Sequence, residues 1–162
     1  MLDTAEMCKL CENAFRDVNI AFANELSMIC DDNGVDVNEL ISVANRHPRV
    51  NILTPGPGVG GHCIAVDPWF LIHEYKDKSG LMKTARLLNK SKEEWVIDKV
   101  ITVSRDWAFQ NGQAAKIACL GITYKPDIDD LRESPAYEIA KTLSLNSDLS
   151  VVAVEPNISV ND

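Results

Sequence analysis

Apolar side chains recur at helical spacing from the start of the chain. Met7, Leu10, Cys11, Ala14, Val18, Ala21, Phe22, Leu26 and Ile29 cluster on one face, which predicts a long amphipathic helix. Asp3 is placed to cap it, with Glu6 three residues later as in a capping box. The run Asp31-Asp32-Asn33-Gly34 should end it. A second helix is predicted from Asp36 or Val37 to about Arg46, stopped by Pro48. The stretch Thr54 to Cys63 carries four glycines and two prolines and can be neither helix nor strand. Asp67-Pro68 reads as an N-cap followed by a first helical residue. Ser79 then caps one longer helix, or two joined helices, reaching about Phe109.

The pattern changes after Asn111-Gly112. Lys116 to Leu120 is a short apolar run that predicts a buried strand. Ser134-Pro135 opens a helix to about Leu143, and Ser150 to Val154 is a second strand. Strand, loop, helix, strand is one βαβ unit, which requires a parallel pair. The expected architecture is therefore mainly α-helical over residues 1–112, followed over 113–162 by a Rossmann-like α/β unit. One βαβ unit is less than a domain, so the α/β half reads as truncated.

Composition narrows the classes. The chain has 162 residues, 46% of them hydrophobic, which suffices for a core. Its formal net charge of -8 argues against nucleic-acid or membrane-surface partners. No apolar run is long enough for a membrane span, and the first residues do not resemble a signal peptide. Five cysteines at irregular spacing suit a reducing, cytoplasmic setting. Cys8 and Cys11 form a C-x-x-C near the apolar side of the first helix, but no second pair lies at zinc-site distance, so no metal is expected. The Asp-rich turn at 31–34 lacks the ligand spacing of an EF-hand.

Three stretches carry candidate chemistry. Consecutive glycines before Cys63 let backbone amides approach a ligand and face a thiolate or an oxyanion on a carbon bonded to sulfur. The plain alternative is a tight turn with an inert thiol. Asp67, four residues on, reaches the thiol region if the intervening chain turns helically; otherwise it only starts a helix. Lys9, Asn13 and Arg16 share a narrow strip of the first helix opposite its apolar face, where they are either a solvated face or a cluster able to hold an oxyanion and a water. The segment Gly121 to Pro135 follows a strand and precedes a helix, where α/β sheets bind ligands. It lacks G-x-G-x-x-G, yet its Tyr124, Lys125 and Arg132 suit a base and phosphates.

Taken together, these stretches resemble the UDP-glucose/GDP-mannose dehydrogenase family. The matching pieces are Ala5-Glu6-Met7-Cys8-Lys9 through Asn13-Ala14-Phe15-Arg16, Asn24-Glu25-Leu26, Gly58-Val59-Gly60-Gly61-His62-Cys63, and Tyr124-Lys125 through Asp129-Asp130-Leu131-Arg132-Glu133-Ser134-Pro135. The run from Pro55 to Phe70, with Asn45-Arg46-His47-Pro48-Arg49-Val50 before it, is most similar to members acting on UDP-N-acetyl-D-mannosamine. Members acting on glucose usually have a Lys where this chain has Val66.

The resemblance implies oxidation of a sugar C6 alcohol to a carboxylate with two NAD, through a thioester on Cys63. It implies that Lys9 stabilises oxyanions, Asn13 holds an oxyanion or water, and Asp67 assists hydrolysis. Arg16, His47, Arg49, Gly60, Tyr124 and Lys125 match substrate-contacting positions, with His47 to Arg49 reaching a neighbouring subunit's site. Arg132 matches a cofactor contact, and the first helix helps build a homodimer. The family's N-terminal NAD-binding domain and the latter part of its UDP-binding domain have no counterpart in these residues, so the chain alone is expected not to turn over. Two rivals stand beside this reading. One is a non-catalytic dimerisation module. The other is a cysteine hydrolase or amidotransferase pairing Cys63 with His47, His62 or His73, which accounts for one stretch of the three.

Overall fold

The computed structural model describes residues 3–158. Helix α1 runs Thr4–Asp32. The Asp3 carboxylate caps it, accepting from the amides of Ala5 and Glu6 at 2.8 and 3.0 Å. Helix α2 runs Val37–Ala44 and is capped in the same way by Asp36. It ends two residues short of the expected Arg46 because Asn45 turns the chain. The Asn45 amide donates to the Ile52 carbonyl (2.9 Å) and accepts from the Ile52 amide (2.7 Å), closing the loop that carries His47 and Arg49. Helix α3 runs Asp67–Glu74 and helix α4 runs Gly80–Asn111. The long stretch is thus a single helix. Ser79 does not cap it through its hydroxyl, which donates instead to the Tyr75 carbonyl at 2.9 Å. Gly112, at φ 67°, ends it in the left-handed conformation that favours glycine.

Strand β1, Lys116–Leu120, pairs in parallel with strand β2, Ser150–Val154, Lys116 facing Ser150 and Leu120 facing Val154. Helix α5, Pro135–Ser144, crosses between them. Its Ser134 cap accepts from the Tyr137 amide. This is the expected βαβ unit, with Ile139, Ala140 and Leu143 of α5 buried. Leu120, Val152 and Val154 of the sheet stay exposed, so β1 is not the buried strand expected of its apolar run.

The helical half departs from the expected pattern in one respect. Of the predicted apolar face of α1, Ala14 and Ala21 are buried, while Cys11, Phe22 and Ile29 are exposed. Cys8 is exposed as well. The buried face includes Asn13, Asp17 and Asn24, at 3%, 0% and 0% exposure. Asn13, placed by its strip opposite the apolar face, therefore points inward. The reason is pairing: each of these residues meets a partner on α3, α4 or the glycine loop, which offsets much of the cost of burying it. Phe15, Phe22 and Ile29 form an apolar stripe left outside. Farther along, Lys92 of α4 is buried, donating to the Ser27 hydroxyl at 2.8 Å and lying 3.6 Å from the Trp95 ring centroid.

The glycine loop docks the two halves together. A Cβ on Gly60 would lie 2.5 Å from the Glu133 carbonyl oxygen and 2.8 Å from Tyr124 and Pro135. One on Gly61, at φ 83°, would meet the Tyr124 ring at 2.8 Å. Gly60→Ala should therefore destabilise the fold by about 1–3 kcal/mol in urea unfolding, as overpacking does. Gly80→Ala, which meets nothing within 4 Å at the start of α4, should leave the midpoint unchanged or raise it slightly.

Candidate active site

The chain turns back on itself immediately after the glycine loop. The Cys63 carbonyl accepts from the amides of Val66 (3.2 Å) and Asp67 (2.8 Å), a helical turn that brings residue 67 under residue 63. Asp67 is not the side-chain cap expected of it. Val66 occupies the cap position without a side-chain bond, Asp67 is the first residue of α3, and its carboxylate accepts from Asn13 Nδ2 at 2.6 Å. A carboxylate only accepts, so this contact fixes which end of the Asn13 amide faces it. The Asn13 oxygen and its second amide hydrogen are left available.

Above this pair lies a cavity of about 490 Å³ lined by Lys9, Asn13 and Arg16 of α1, by the loop from Gly58 to Ile64 with exposed Cys63, and by Tyr124 and Lys125 of the α/β unit. Seven of the predicted site residues line it: Lys9, Asn13, Arg16, Gly60, Cys63, Tyr124 and Lys125. Its lining carries three cationic side chains and no carboxylate, in a chain of net charge -8. Tyr124, Lys125, Gly58 and Gly60 also border a second cavity of about 470 Å³ at the C-terminal ends of β1 and β2. The two spaces share a wall, and a ligand with two parts can lie across it.

Of the other four predicted residues, Asp67 stands behind Asn13 and three lie elsewhere. His47 and Arg49 sit on the exposed loop closed by Asn45, where His47 Nδ1 accepts from the Arg49 amide at 3.2 Å. Neither lines the cavity. Arg132 is outside it too, gripping Asp130 in a bidentate pair at 2.7 to 3.1 Å. Hydrogen bonds from the Arg132 side chain and backbone hold the Asp130 carboxyl down at about 2. Asp130 lies 3.9 Å from His62 Nδ1, and the His62 ring stands edge-on to Tyr124 at a centroid distance of 6.0 Å. His62 thus faces the α/β loop, which weakens the case for it as a base for Cys63.

Sequence reasoning missed a buried polar group behind the loop. Arg86 of α4 sets its Nε 3.3 Å from Asp17 Oδ2 and donates through Nη1 to the Ile64 carbonyl at 3.2 Å. Asn89, one turn on, donates to Asp17 Oδ1 at 2.8 Å and accepts from Asn24 at 2.9 Å. Asn24 in turn accepts from the Gly56 amide at 2.8 Å. Burial pushes the Asp17 carboxyl up and Arg86 down, and each is drawn back by the other's charge. The signal available was Arg86 and Asn89 at i, i+3 within a long helix.

The described residues do not by themselves fit a whole dinucleotide. The amides of Ile122 and Thr123 that follow β1 donate to the Glu155 carboxylate at 3.0 and 3.4 Å. They are therefore engaged by an internal anion where a dinucleotide fold would present amides to phosphate. Among the described residues, no helix is long and apolar enough to cross a membrane, and no three His, Cys, Asp or Glu side chains gather as a metal site.

A long helical unit bearing a glycine loop and an exposed thiol, docked on a βαβ unit, defines a class. Residues 3–91 match the central domain of the UDP-glucose/GDP-mannose dehydrogenase family, and residues 118–162 match the UDP binding domain of the same family. The chain belongs to that family. It is 60% identical over 157 residues to an NDP-N-acetyl-D-galactosaminuronic acid dehydrogenase from Ralstonia solanacearum, covering 97% of this chain and 36% of that protein. It is 59% identical over 158 residues to the UDP-N-acetyl-D-mannosamine dehydrogenase of Escherichia coli K12, covering 96% and 38%. Among solved structures, it resembles the UDP-D-ManNAc dehydrogenase from Pyrococcus horikoshii with a TM-score of 0.84 and 39% identity, covering 96% of this chain and 37% of that one. The UDP-N-acetyl-mannosamine dehydrogenase Cap5O from Staphylococcus aureus gives 0.79 and 44%, covering 98% and 35%. The chain thus spans little more than a third of the relatives it matches.

The depressed Asp130 carboxyl sets a pH window. Its native value lies below the ordinary 3.8, so its contribution to holding the 124–135 loop is fully present above 3.8 and is lost as pH falls toward about 2. Carbon-13 NMR of the Asp130 carboxyl should show a midpoint near 2, and Arg132→Ala should return it toward 3.8.

Proposed function

We propose that this chain is the thiol-bearing part of an NAD-dependent UDP-sugar 6-dehydrogenase whose substrate is UDP-N-acetyl-D-mannosamine. The observation that carries the reading is one cavity in which Cys63, Asn13 with Asp67 behind it, and three cationic side chains converge. A nucleotide diphosphate is an anion and suits that lining. The paired cavities suit a sugar beside Cys63 and a nucleotide along the ends of β1 and β2, with Tyr124 and Lys125 between. The two named N-acetylhexosamine relatives support the substrate class, and the run from Pro55 to Phe70 favours the mannosamine member.

In this reading the Cys63 thiolate attacks the C6 aldehyde and forms a carbon–sulfur bond, and the resulting oxyanion is stabilised by Lys9. Loss of hydride leaves a thioester. Asn13, held by Asp67, positions the water, and Asp67 takes its proton as the thioester is hydrolysed. Arg16, Gly60, Tyr124 and Lys125 bind the substrate. A nicotinamide cofactor would supply the acceptor for both hydrides, the one from the C6 alcohol and the one from its adduct with Cys63, and Arg132 would be this chain's contact to it. Five free cysteines suit the reducing cytoplasm.

The test uses the whole dehydrogenase containing this sequence. Two NADH should form per uronate from UDP-N-acetyl-D-mannosamine, with slower turnover of the galactosamine and glucosamine epimers. Cys63→Ala should abolish uronate formation. Asp67→Asn, quenched in acid during turnover, should yield a Cys63 peptide carrying the sugar acyl mass. Full activity in Cys63→Ala would refute the mechanism, and faster turnover of another epimer would correct the substrate.

The exposed stripe of Phe15, Phe22 and Ile29 supports a homodimer built through α1. His47 and Arg49 lie outside the cavity of their own chain, which favours a role across that interface. Sedimentation should give a dimer for this chain and a folded monomer for Phe22→Asp. A wild-type monomer would remove the dimer.

A further inference from the structure

Most residues that touch the cavity present groups into it from the front. The turn from Cys63 to Asp67 also has to be held from behind, because it sits at the end of a loop with little regular hydrogen bonding. Two contacts do this. Asn13 holds the Asp67 carboxylate at 2.6 Å. Arg86 holds the carbonyl of Ile64, the residue next after the nucleophile, at 3.2 Å.

We infer that Arg86 is a positioning residue for the nucleophile, acting by clamping the Ile64 carbonyl while Asp17 fixes its guanidinium. The inference rests on reading Cys63 as the nucleophile.

Four observations carry it. Arg86 is 5% exposed and Asp17 0%, so neither serves a solvated surface. The guanidinium is planar and forked, and here one edge faces a carboxylate on α1 while the other donates to the loop, a division a lysine ammonium cannot reproduce. Its Nε and the facing Asp17 oxygen lie 3.3 Å apart without hydrogen-bond alignment, so the pair is offset from its best ion-pair geometry while the arm to Ile64 is aligned. The other end of the same loop is held by the same network, through Asn89, Asn24 and the Gly56 amide. Helix α4 therefore grips the glycine loop at both ends. Glu93 of α4 and Glu133 of the loop before α5 also face the guanidinium, so Arg86 stands where helix, nucleophile turn and α/β unit meet.

The experiment separates positioning from folding. Asp17→Leu with Arg86→Met replaces the buried pair by apolar groups, a change that stability often tolerates. Arg86→Lys keeps the charge for Asp17 but loses the second arm, and it is read by the same criteria should the double variant fail to fold. Hydrogen exchange of this chain should show the Val66 and Asp67 amides exchanging about tenfold faster in either variant, with the middle of α1 and α4 unchanged. In the whole dehydrogenase, kcat should fall by about tenfold or more while KM for the UDP-sugar stays within about threefold. Unchanged exchange at Val66 and Asp67 would overturn the clamp. Faster exchange with unchanged kcat would overturn its role in placing the nucleophile. Failure of the Cys63 reading itself would show separately, as retained activity in Cys63→Ala on the unaltered background.

Discussion

Everything in the helical half hangs on one buried ion pair and the amides around it. Asp17 and Arg86 join α1 to α4, and Asn89 bonds both the Asp17 carboxylate and its backbone carbonyl at 3.1 Å. A buried pair of this kind is a weak source of net stability, since desolvation offsets most of the attraction. Removing one partner is another matter, because it strands a charge and typically costs about 3–5 kcal/mol. The network therefore specifies geometry more than it adds stability. It sets the register of two long helices whose apolar contacts are mostly alanine. Alanine contacts are small and tolerate sliding; directional hydrogen bonds do not.

That choice explains which parts of the fold were legible in the sequence. Caps at Asp3, Asp36 and Ser134 and both strands stand where local chemistry put them, because each depends on residues within a few positions. The rotation of α1 was not legible. Counting apolar residues pointed the face with Phe22 and Ile29 inward, whereas the chain buries Asn13, Asp17 and Asn24 instead. Their partners lie 54, 72 and 65 residues away in Asp67 and Asn89, and no local pattern announces such pairs. The same limit applied at Asp67. As a dipeptide, Asp-Pro signals a helix start, and only the arrival of Asn13 from another helix diverts the carboxylate from capping.

The candidate site was more legible than the core. Lys9, Asn13 and Arg16 were grouped by helical period, Cys63 by the glycines before it, and Tyr124 with Lys125 by the end of a strand. Each grouping is local, and the fold brings all three to one cavity. The Arg86 and Asn89 support left only a faint signal, their i, i+3 spacing, since an Arg and an Asn in a charged helix look like solvated surface. His47 and Arg49 were named as substrate contacts by resemblance, Arg132 also by its place in the loop after a strand, and the structure leaves all three outside the cavity of this chain.

A nucleophile on a loop, the role proposed for Cys63, needs both access and precision, and these pull in opposite directions. Exposed Cys63 has the access. Precision comes from glycines that are too crowded to move. Gly60 and Gly61 lie so close to Tyr124 and the Glu133 carbonyl that no side chain fits between. The loop is flexible in composition yet wedged in place, with Arg86 and Asn13 fixing the turn that follows it. The wedge also joins the halves. Tyr124 packs on the nucleophile loop with one part of its residue and borders both cavities with the rest. Any ligand that moves Tyr124 must act directly on the backbone leading to Cys63. In the proposed reading, a nucleotide held along the strand ends bears on the thiol through this packing, beside the 3.9 Å approach of His62 to Asp130.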